Sequence, residues 1–153
     1  MGSTRVQLHI RAPRATVYRL LIDPTAIAKW RVPDNMTAHV HSFEAREGGH
    51  FRVSLTYTDP ANTGKTTAHT DTYHGRFLRL VPDEQVVEAE EFETSDPAMI
   101  GEMVSTITLA DADDGGTDLV AVHDGLPPGV ALADNETGWR MALAKLAGLA
   151  EAG

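Results

Sequence analysis

The sequence predicts an α+β domain in which a curved antiparallel sheet of about six to seven strands closes around one long C-terminal helix. Three observations carry this prediction. Segments of alternating apolar and polar residues recur between turn signals along most of the 153 residues. Two short helical segments follow the first of these strands, and the C-terminal segment has an apolar stripe with helical spacing.

The N-terminal elements are one strand and two short helices. Apolar and polar residues alternate over residues 4–11, which is typical of a strand with one buried face at the start or edge of a sheet. Pro13 suits the first turn of a helix that continues to Leu21. Asp23-Pro24 ends this helix and can begin a second one over residues 25–30.

Hairpin-connected strands make up the middle of the chain. Gly75 inside one of them indicates a bend or bulge, because a strand glycine has no side chain to pack. A polar loop is expected at residues 59–64, a tight hairpin loop at 113–116, and the end of the sheet at 125–129. The predicted strands are 37–43, 51–57, 69–80, 86–92, 102–109 and 118–123.

The final helix is amphipathic. Trp139, Leu143 and Leu146 repeat at steps of three and four, which predicts a helix with one apolar face. Gly138 costs this helix about 1 kcal/mol relative to alanine, which indicates tight packing beneath it or a bend. Because one helix does not fill a deep concave sheet, we expect a cavity between the two.

Length and composition fit a single domain spanning residues 1–153. The chain has no cysteine, which excludes disulfides, thiolate metal sites and a cysteine nucleophile. No apolar run reaches the roughly 20 residues that cross a bilayer, and the N-terminus has no apolar signal core, so a cytoplasmic protein is expected. P-loop, dinucleotide and serine-hydrolase motifs are absent from the sequence, and no cofactor is predicted.

Charge is unevenly distributed along the chain. The net charge is −9; residues 1–52 hold eight Lys and Arg against four Asp and Glu, and the remainder holds five against eighteen. Binding to nucleic acid or to an anionic membrane requires clustered cationic side chains. Most of this chain is acidic instead, so neither is expected as a partner. An edge position for strand 86–92 would let its glutamates discourage pairing between molecules. The glutamates in and after this strand are Glu88, Glu90, Glu91 and Glu93.

A series of segments resembles one protein family in both order and spacing. The segments that carry the resemblance are APRATVY at 12–18, LIDP at 21–24, KW at 29–30, GRFLRLVP at 75–82, GTDL at 116–119, HDGLP at 123–127 and GW at 138–139. With these segments, the chain is similar across residues 4–150 to homologues of the Hsp90 ATPase activator C-terminal domain, within the START-like (Bet v 1-like) superfamily.

This resemblance implies a helix-grip fold with a hydrophobic cavity, but no particular substrate. Relatives include lipid and hormone carriers, aromatase/cyclase domains and chaperone regulators. The eukaryotic co-chaperone is similar only over this domain and carries a further N-terminal domain that this sequence lacks, so a chaperone partner is not expected. Arg31-Val32-Pro33 follows Trp30 where the family often has more aromatic residues. Together with the glutamates, this departure predicts a more polar or narrower pocket.

Candidate pocket walls are mostly apolar residues on expected inward faces, and ordinary core packing is the competing interpretation for each. Tyr57, Tyr73 and Trp139 are the most informative, because a buried phenol or indole needs a polar partner that a ligand can supply. His123 could hydrogen-bond a ligand or cap a turn. The predicted ligand-binding residues are Trp30, Phe51, Val53, Leu55, Tyr57, Tyr73, Phe77, Met103, Ile107, His123, Trp139 and Leu143.

His69, Asp71 and Tyr73 share one face of a predicted strand and are the candidate catalytic residues. On a concave face, the carboxylate could orient the imidazole and Tyr73 could polarise a carbonyl for cyclisation or hydrolysis. Solvated surface residues are the competing interpretation. His39 and His41 have the i, i+2 spacing that directs both rings to one side, but no further spacing signature completes a shell, and no metal site is predicted.

Three functions remain open from the sequence. The first is a binding module that holds a small apolar or aromatic molecule without altering it. The second is an enzyme of cyclase, dehydratase or hydrolase type that uses the same cavity. The third is a regulatory protein, acting alone or as a homodimer, that contacts a chaperone or another protein through an acidic sheet surface.

Overall fold

The computed structural model describes residues 2–58 and 69–153. Within these residues, seven strands form one antiparallel sheet in the order β1-β7-β6-β5-β4-β3-β2, and three helices accompany it. The predicted α+β helix-grip fold is confirmed. The strands are β1 (Gly2–Ile10), β2 (Met36–Phe43), β3 (His50–Tyr57), β4 (Thr70–Val81), β5 (Gln85–Phe92), β6 (Met103–Asp111) and β7 (Thr117–Leu126). The helices are α1 (Arg14–Leu21), α2 (Pro24–Trp30) and α3 (Leu132–Ala152).

Local sequence signals explain where the first helices begin. Pro13 is the extended residue just before α1, since its fixed φ and missing N–H suit a helix start. Asp23 caps α2, and its carboxylate accepts a hydrogen bond of 2.9 Å from the backbone N–H of Thr25. No helix among the described residues is long and apolar enough to cross a bilayer.

The position of β5 corrects one prediction. This strand lies between β4 and β6, so it is a central strand, and an edge role for its glutamates is wrong. Alternation places Glu88 and Glu90 on the concave face, where they are 2% and 4% exposed. Glu91 points to the other face and is partly exposed. Two carboxylates are therefore buried on the concave face of the sheet.

Two glycines shape the strands around the concave face. A side chain at Gly75 would collide with the carbonyl oxygen of Ala89, so only glycine allows β4 and Phe51 to approach so closely. Gly75 itself is regularly paired with Phe51 and Glu90, and the register between β4 and β5 shifts between Phe77 and Arg79, so the bulge in this strand lies after the glycine. Gly125 adopts a φ of +74° inside β7, which extends to Leu126, beyond the predicted strand 118–123 but within the segment predicted to end the sheet.

Gly138 does not lie against tight packing. A side chain added there would meet only Pro33, at 3.9 Å, which is an ordinary contact distance. Of the two predicted explanations for this glycine, close packing beneath it is therefore wrong. The predicted polar loop at residues 59–64 lies outside the described residues.

The concave side of the sheet has two contrasting ends. At the packed end, β3, β5 and β7 begin while β1, β4 and β6 end, and the inward side chains belong to one hydrophobic cluster with residues of all three helices. Phe77 packs there against Phe43 and Phe51, with ring centroids 5.4 and 5.2 Å apart. At the opposite, open end, β3, β5 and β7 finish and the first half of α3 crosses above them.

Candidate functional site

A cavity of about 460 Å³ lies at the open end, between the sheet and the first half of α3. Its volume is within the range of about 300–1,000 Å³ common for small-molecule sites. The segment after α2 and the loop before α3 complete the wall. The lining residues are Arg31, Val32, Pro33, Asn35, Met36, Leu55, Tyr57, Asp71, Tyr73, Glu90, Phe92, Met103, His123, Gly129, Val130, Ala131, Asp134, Asn135, Thr137, Gly138, Trp139, Met141 and Ala142.

Several predicted site residues meet in this cavity although they come from five different elements. Strand alternation directs one set of residues inward at the ends of β3 and β7 and at the beginnings of β4 and β6, and α3 contributes its aromatic side chain from above. Because neighbouring strands are antiparallel, the ends of β3 and β7 and the beginnings of β4 and β6 lie at the same end of the sheet. The predicted residues that line the cavity are Leu55, Tyr57, Asp71, Tyr73, Met103, His123 and Trp139.

The other predicted residues lie elsewhere. His69 is exposed just before β4 and is not part of the cavity lining, whereas Asp71 is 2% exposed and lines it. The three candidate catalytic residues are therefore not together, because His69 lies at the surface while Asp71 and Tyr73 line the cavity. Six predicted pocket residues are packed in the core, away from the cavity lining. They are Trp30, Phe51, Val53, Phe77, Ile107 and Leu143.

His123 is held by two donors on one ring nitrogen. The indole N–H of Trp139 donates to Nδ1 of His123 at 3.1 Å, and Nδ2 of Asn135 lies 3.2 Å from the same atom. The hydroxyl of Thr4 donates to Oδ1 of Asn135 at 2.6 Å, which orients the amide. Because indole nitrogen can only donate, Nδ1 must carry a lone pair. These bonds assign the neutral tautomer of His123 with its proton on Nε2.

Glu90 and His123 face each other without completing a hydrogen bond. Oε1 of Glu90 lies 3.1 Å from Nε2 of His123, which is within hydrogen-bonding distance. Neither atom, however, has a hydrogen-bond partner of acceptable alignment among the described residues, because the ring N–H is not directed at the carboxylate oxygen. Both side chains are buried, with 4% and 10% of their surface exposed. Such unsatisfied groups are rare in folded proteins, and each calls for an explanation, such as strain, a catalytic role or a bound water or ion.

The remaining contacts of Glu90 are long. Its Oε2 accepts a hydrogen bond of 3.5 Å from the hydroxyl of Ser105, and Nη2 of Arg31 lies 3.9 Å from Oε1. Arg31 is instead directed at Glu88, whose Oε2 accepts a bond of 2.6 Å from Nη1. The guanidinium also lies over the ring of Trp139, 5.3 Å from its centroid. Arg31 therefore compensates mainly one of the two buried glutamates.

Burial and charge set the proton affinities around this ion pair. Burial by itself lowers the pKa of Arg31, but the neighbouring Glu88 and Glu90 carboxylates raise it well above its ordinary value. Burial raises the pKa of Glu88, and Arg31 opposes this effect. Burial also raises the pKa of Tyr73 to about 12, so its phenol remains protonated at neutral pH. Tyr73 can therefore donate a hydrogen bond to a molecule in the cavity.

Metal binding finds no support among the described residues. No group of three His, Cys, Asp or Glu side chains in residues 2–58 and 69–153 is placed to hold an ion. His39 and His41 do lie near each other on β2, with ring centroids 4.6 Å apart. Both are exposed, and His41 Nε2 pairs with the hydroxyl of Ser54 at 2.7 Å.

Arg31, Glu90 and Asn135 were missed as candidate site residues by the sequence analysis. A signal for Glu90 existed, since a glutamate alternates with Glu88 in a strand flanked on both sides by other predicted strands. Asn135 precedes Trp139 by four residues and so lies on the same face of α3. Arg31 had been read as a sign of a more polar pocket, which agrees with its position in the wall.

Comparisons with known proteins identify one matching family. The model of the family described as Activator of Hsp90 ATPase homolog 1-like protein matches residues 11–151. Among curated proteins, no match was found. The activity in that description is stated of the family and is not by itself a property of this chain.

Solved structures with the same architecture cover nearly the whole chain. A crystal structure of a Chromobacterium violaceum protein is 32% identical, with a TM-score of 0.86, and the match covers 97% of this chain and 96% of the other. A Rhodobacter sphaeroides protein is 21% identical, with a TM-score of 0.79 and coverage of 98% and 92%. An Arthrobacter aurescens protein is 16% identical, with a TM-score of 0.81 and coverage of 99% and 87%. The last two likenesses concern the fold alone.

Proposed function

This chain belongs to the Activator of Hsp90 ATPase homolog 1-like family, and we propose that it is a binding module whose cavity holds a small hydrophobic or aromatic molecule without altering it. The observation that carries this proposal is the cavity of about 460 Å³ between the sheet and α3. A filled interior would have left no room for a ligand. The family's helix-grip architecture is consistent with such a role.

The chemistry of the wall supports an amphipathic ligand. Apolar surface comes from side chains such as Leu55, Met103 and Met141, which favour an apolar body through the hydrophobic effect. Aromatic rings of Tyr57, Tyr73 and Trp139 add flat surfaces that carry polar tips. This combination of apolar walls and a few converging polar groups is typical of small-molecule sites.

Thermal shift and native mass spectrometry against a panel of lipids and aromatic compounds test this proposal. At least one compound is expected to bind with a stoichiometry of one and to raise the melting temperature, because a ligand that binds only the folded state stabilises it. Gly138→Leu fills the open surface beside Pro33 and should weaken binding at least tenfold. Gly148→Leu is the matched control, since this glycine is exposed on α3 with no neighbour within 4 Å of an added side-chain atom.

Two results would overturn the binding proposal. One is a panel in which no compound shifts the melting temperature or appears bound in the mass spectrum. The other is equal binding to Gly138→Leu, Gly148→Leu and the unmodified protein, which would place the ligand outside the cavity.

An enzyme of cyclase, dehydratase or hydrolase type is the second candidate. It is favoured by the burial of Asp71 and Tyr73 in the cavity wall, near Glu90 and His123. Each panel compound that binds would be recovered after incubation and its mass and retention compared with the starting compound. Loss or gain of water, or isomerisation that Asp71→Asn abolishes, would support the enzyme. Recovery of every bound compound unchanged would support the binding module.

A further inference from the structure

We infer that the ligand of this cavity carries a hydroxyl group, of an alcohol or a phenol, that accepts a hydrogen bond from Nε2–H of His123 and donates one to the carboxylate of Glu90. This inference rests on the proposed binding function. It adds the chemical class of the ligand, namely a neutral molecule with an apolar body and a hydroxyl at the end that reaches the cavity floor.

Two buried polar atoms of the cavity wall are unsatisfied. Nε2 of His123 and Oε1 of Glu90 are shielded from solvent and have no hydrogen-bond partner within the part of the chain that the structure describes. Both side chains belong to the cavity wall. A buried polar group without a partner is costly, so a ligand that supplies the missing partners gains affinity from relieving this cost.

One of these two atoms is a hydrogen-bond donor and the other is an acceptor. Trp139 and Asn135 occupy Nδ1 of His123, so Nε2 carries the proton and can only donate. The Glu90 carboxylate can only accept when it is ionised. A single group that both accepts and donates can therefore satisfy this donor and this acceptor, which lie 3.1 Å apart. A hydroxyl group has this property, whereas an ammonium only donates and a carboxylate only accepts.

The charged side chains of the cavity wall disfavour an anionic ligand. Arg31 is directed at Glu88 and lies 3.9 Å from Glu90, so one guanidinium faces two buried carboxylates. Asp71 and Asp134 add further carboxylates to the wall, and Arg31 is the only Lys or Arg among the described lining residues. A ligand carboxylate would meet like charges in a partly desolvated site. A neutral hydroxyl avoids this repulsion and satisfies both orphan atoms.

Isothermal titration of four matched probes tests the inference on the unmodified protein. The probes are butylbenzene, 4-phenylbutan-1-ol, 4-phenylbutylamine and 4-phenylbutanoate, which share one apolar body and differ only at its end. The alcohol is expected to bind at least about tenfold more tightly than each of the other three, because it alone completes both hydrogen bonds.

Glu90→Leu identifies the residue responsible. This variant should reduce the alcohol's advantage over butylbenzene at least about fivefold while the affinity for butylbenzene stays the same or rises. Glu91→Leu is the matched control, because the neighbouring glutamate of β5 lies on the opposite face, and it should retain the full preference. Competition between the alcohol and a ligand blocked by Gly138→Leu would place the probe in the cavity.

The outcomes separate this inference from the proposed function. Binding of butylbenzene as tight as that of the alcohol, or tighter binding of the amine or carboxylate, would overturn the hydroxyl inference and leave the binding function standing. An unchanged preference in Glu90→Leu would also overturn it. Failure of all four probes and of the wider panel would overturn both proposals. Should Glu90→Leu not fold, the four-probe series on the unmodified protein still decides the question.

Discussion

The packed and open ends of the sheet use the same strands and the same alternation, yet they produce different interiors. At the packed end, β3 and β4 contribute Phe51 and Phe77, whose rings touch and are 3% and 1% exposed. At the open end, the same strands contribute Tyr57 and Asp71 to a cavity wall. The inward direction is identical, and the difference lies in what covers each residue.

The two ends also differ in chemistry. Arg31 and Glu90 line the cavity at the open end, and Glu88, whose partner in the sheet is Phe77, is buried next to Arg31. Burying charge costs free energy unless partners compensate, so this end contributes less to stability per buried residue. The packed end therefore stabilises the fold through apolar packing, whereas the open end has a polar interior that lowers stability.

The largest expected effect comes from breaking the ion pair of the open end. Arg31→Met leaves the Glu88 carboxylate buried without its 2.6 Å partner and should lower the free energy of unfolding by about 3–5 kcal/mol. Urea denaturation at pH 7 measures this. Adding Glu88→Leu should recover most of the loss, because an apolar pair avoids the desolvation cost. A loss below about 1 kcal/mol, or no recovery, would contradict the stated role of this pair.

Matched leucine truncations compare packing at the two ends. Leu119→Ala, at a site 1% exposed in the packed end, should cost about 3 kcal/mol. Leu55→Ala, in the partly exposed cavity wall, should cost about 1 kcal/mol because its side chain already borders open space. Denaturant midpoints and slopes measure both. Equal losses would mean that the two ends are packed alike.

Glycine replacements sharpen the description of α3. Gly138→Ala and Gly148→Ala should each raise the free energy of unfolding by roughly 0.5–1 kcal/mol, since alanine favours the helix and neither site has a close neighbour. Thermal and urea unfolding of both variants measure the gain. If Gly138→Ala destabilised the protein and Gly148→Ala did not, Gly138 would be tightly packed at the mouth of the cavity.

The smallest expected effect concerns Glu93, which is partly exposed on the convex face. Arg52 donates two hydrogen bonds to Glu93, at 2.8 and 2.9 Å, and this pairing together with His74 lowers the pKa of Glu93. A lowered folded-state pKa stabilises the fold above the unfolded value of about 4.3, and the effect is lost as pH falls through the folded-state pKa.

Glu93→Gln should therefore cost about 0.5 kcal/mol at pH 7, since solvent screens this partly exposed pair. The difference from the unmodified protein should shrink as the pH is lowered from 5 to about 2.5. Urea titrations across this pH range measure it. A difference that grows on acidification would contradict the assigned sign of the pKa shift.

Much of the fold could be predicted from local pattern. Alternation over β3 and β4 identified which side chains face inward, and Pro13 and Pro24 marked the starts of α1 and α2. The position of β5 could not be predicted in the same way. Its glutamates look like surface residues in one dimension, and only strand pairing on both sides makes two of them interior.

The sequence by itself determined the order of elements, the inward face of each strand and the apolar stripe of α3, because these depend on periods of two and of three to four residues. Tertiary structure alone decided which inward residues became core and which became cavity wall. It also brought together Glu90, His123 and Asn135 from β5, β7 and α3. The physical reason is that periodicity specifies a direction for each side chain, whereas contact across the interior depends on strand register and on where the helix crosses the sheet.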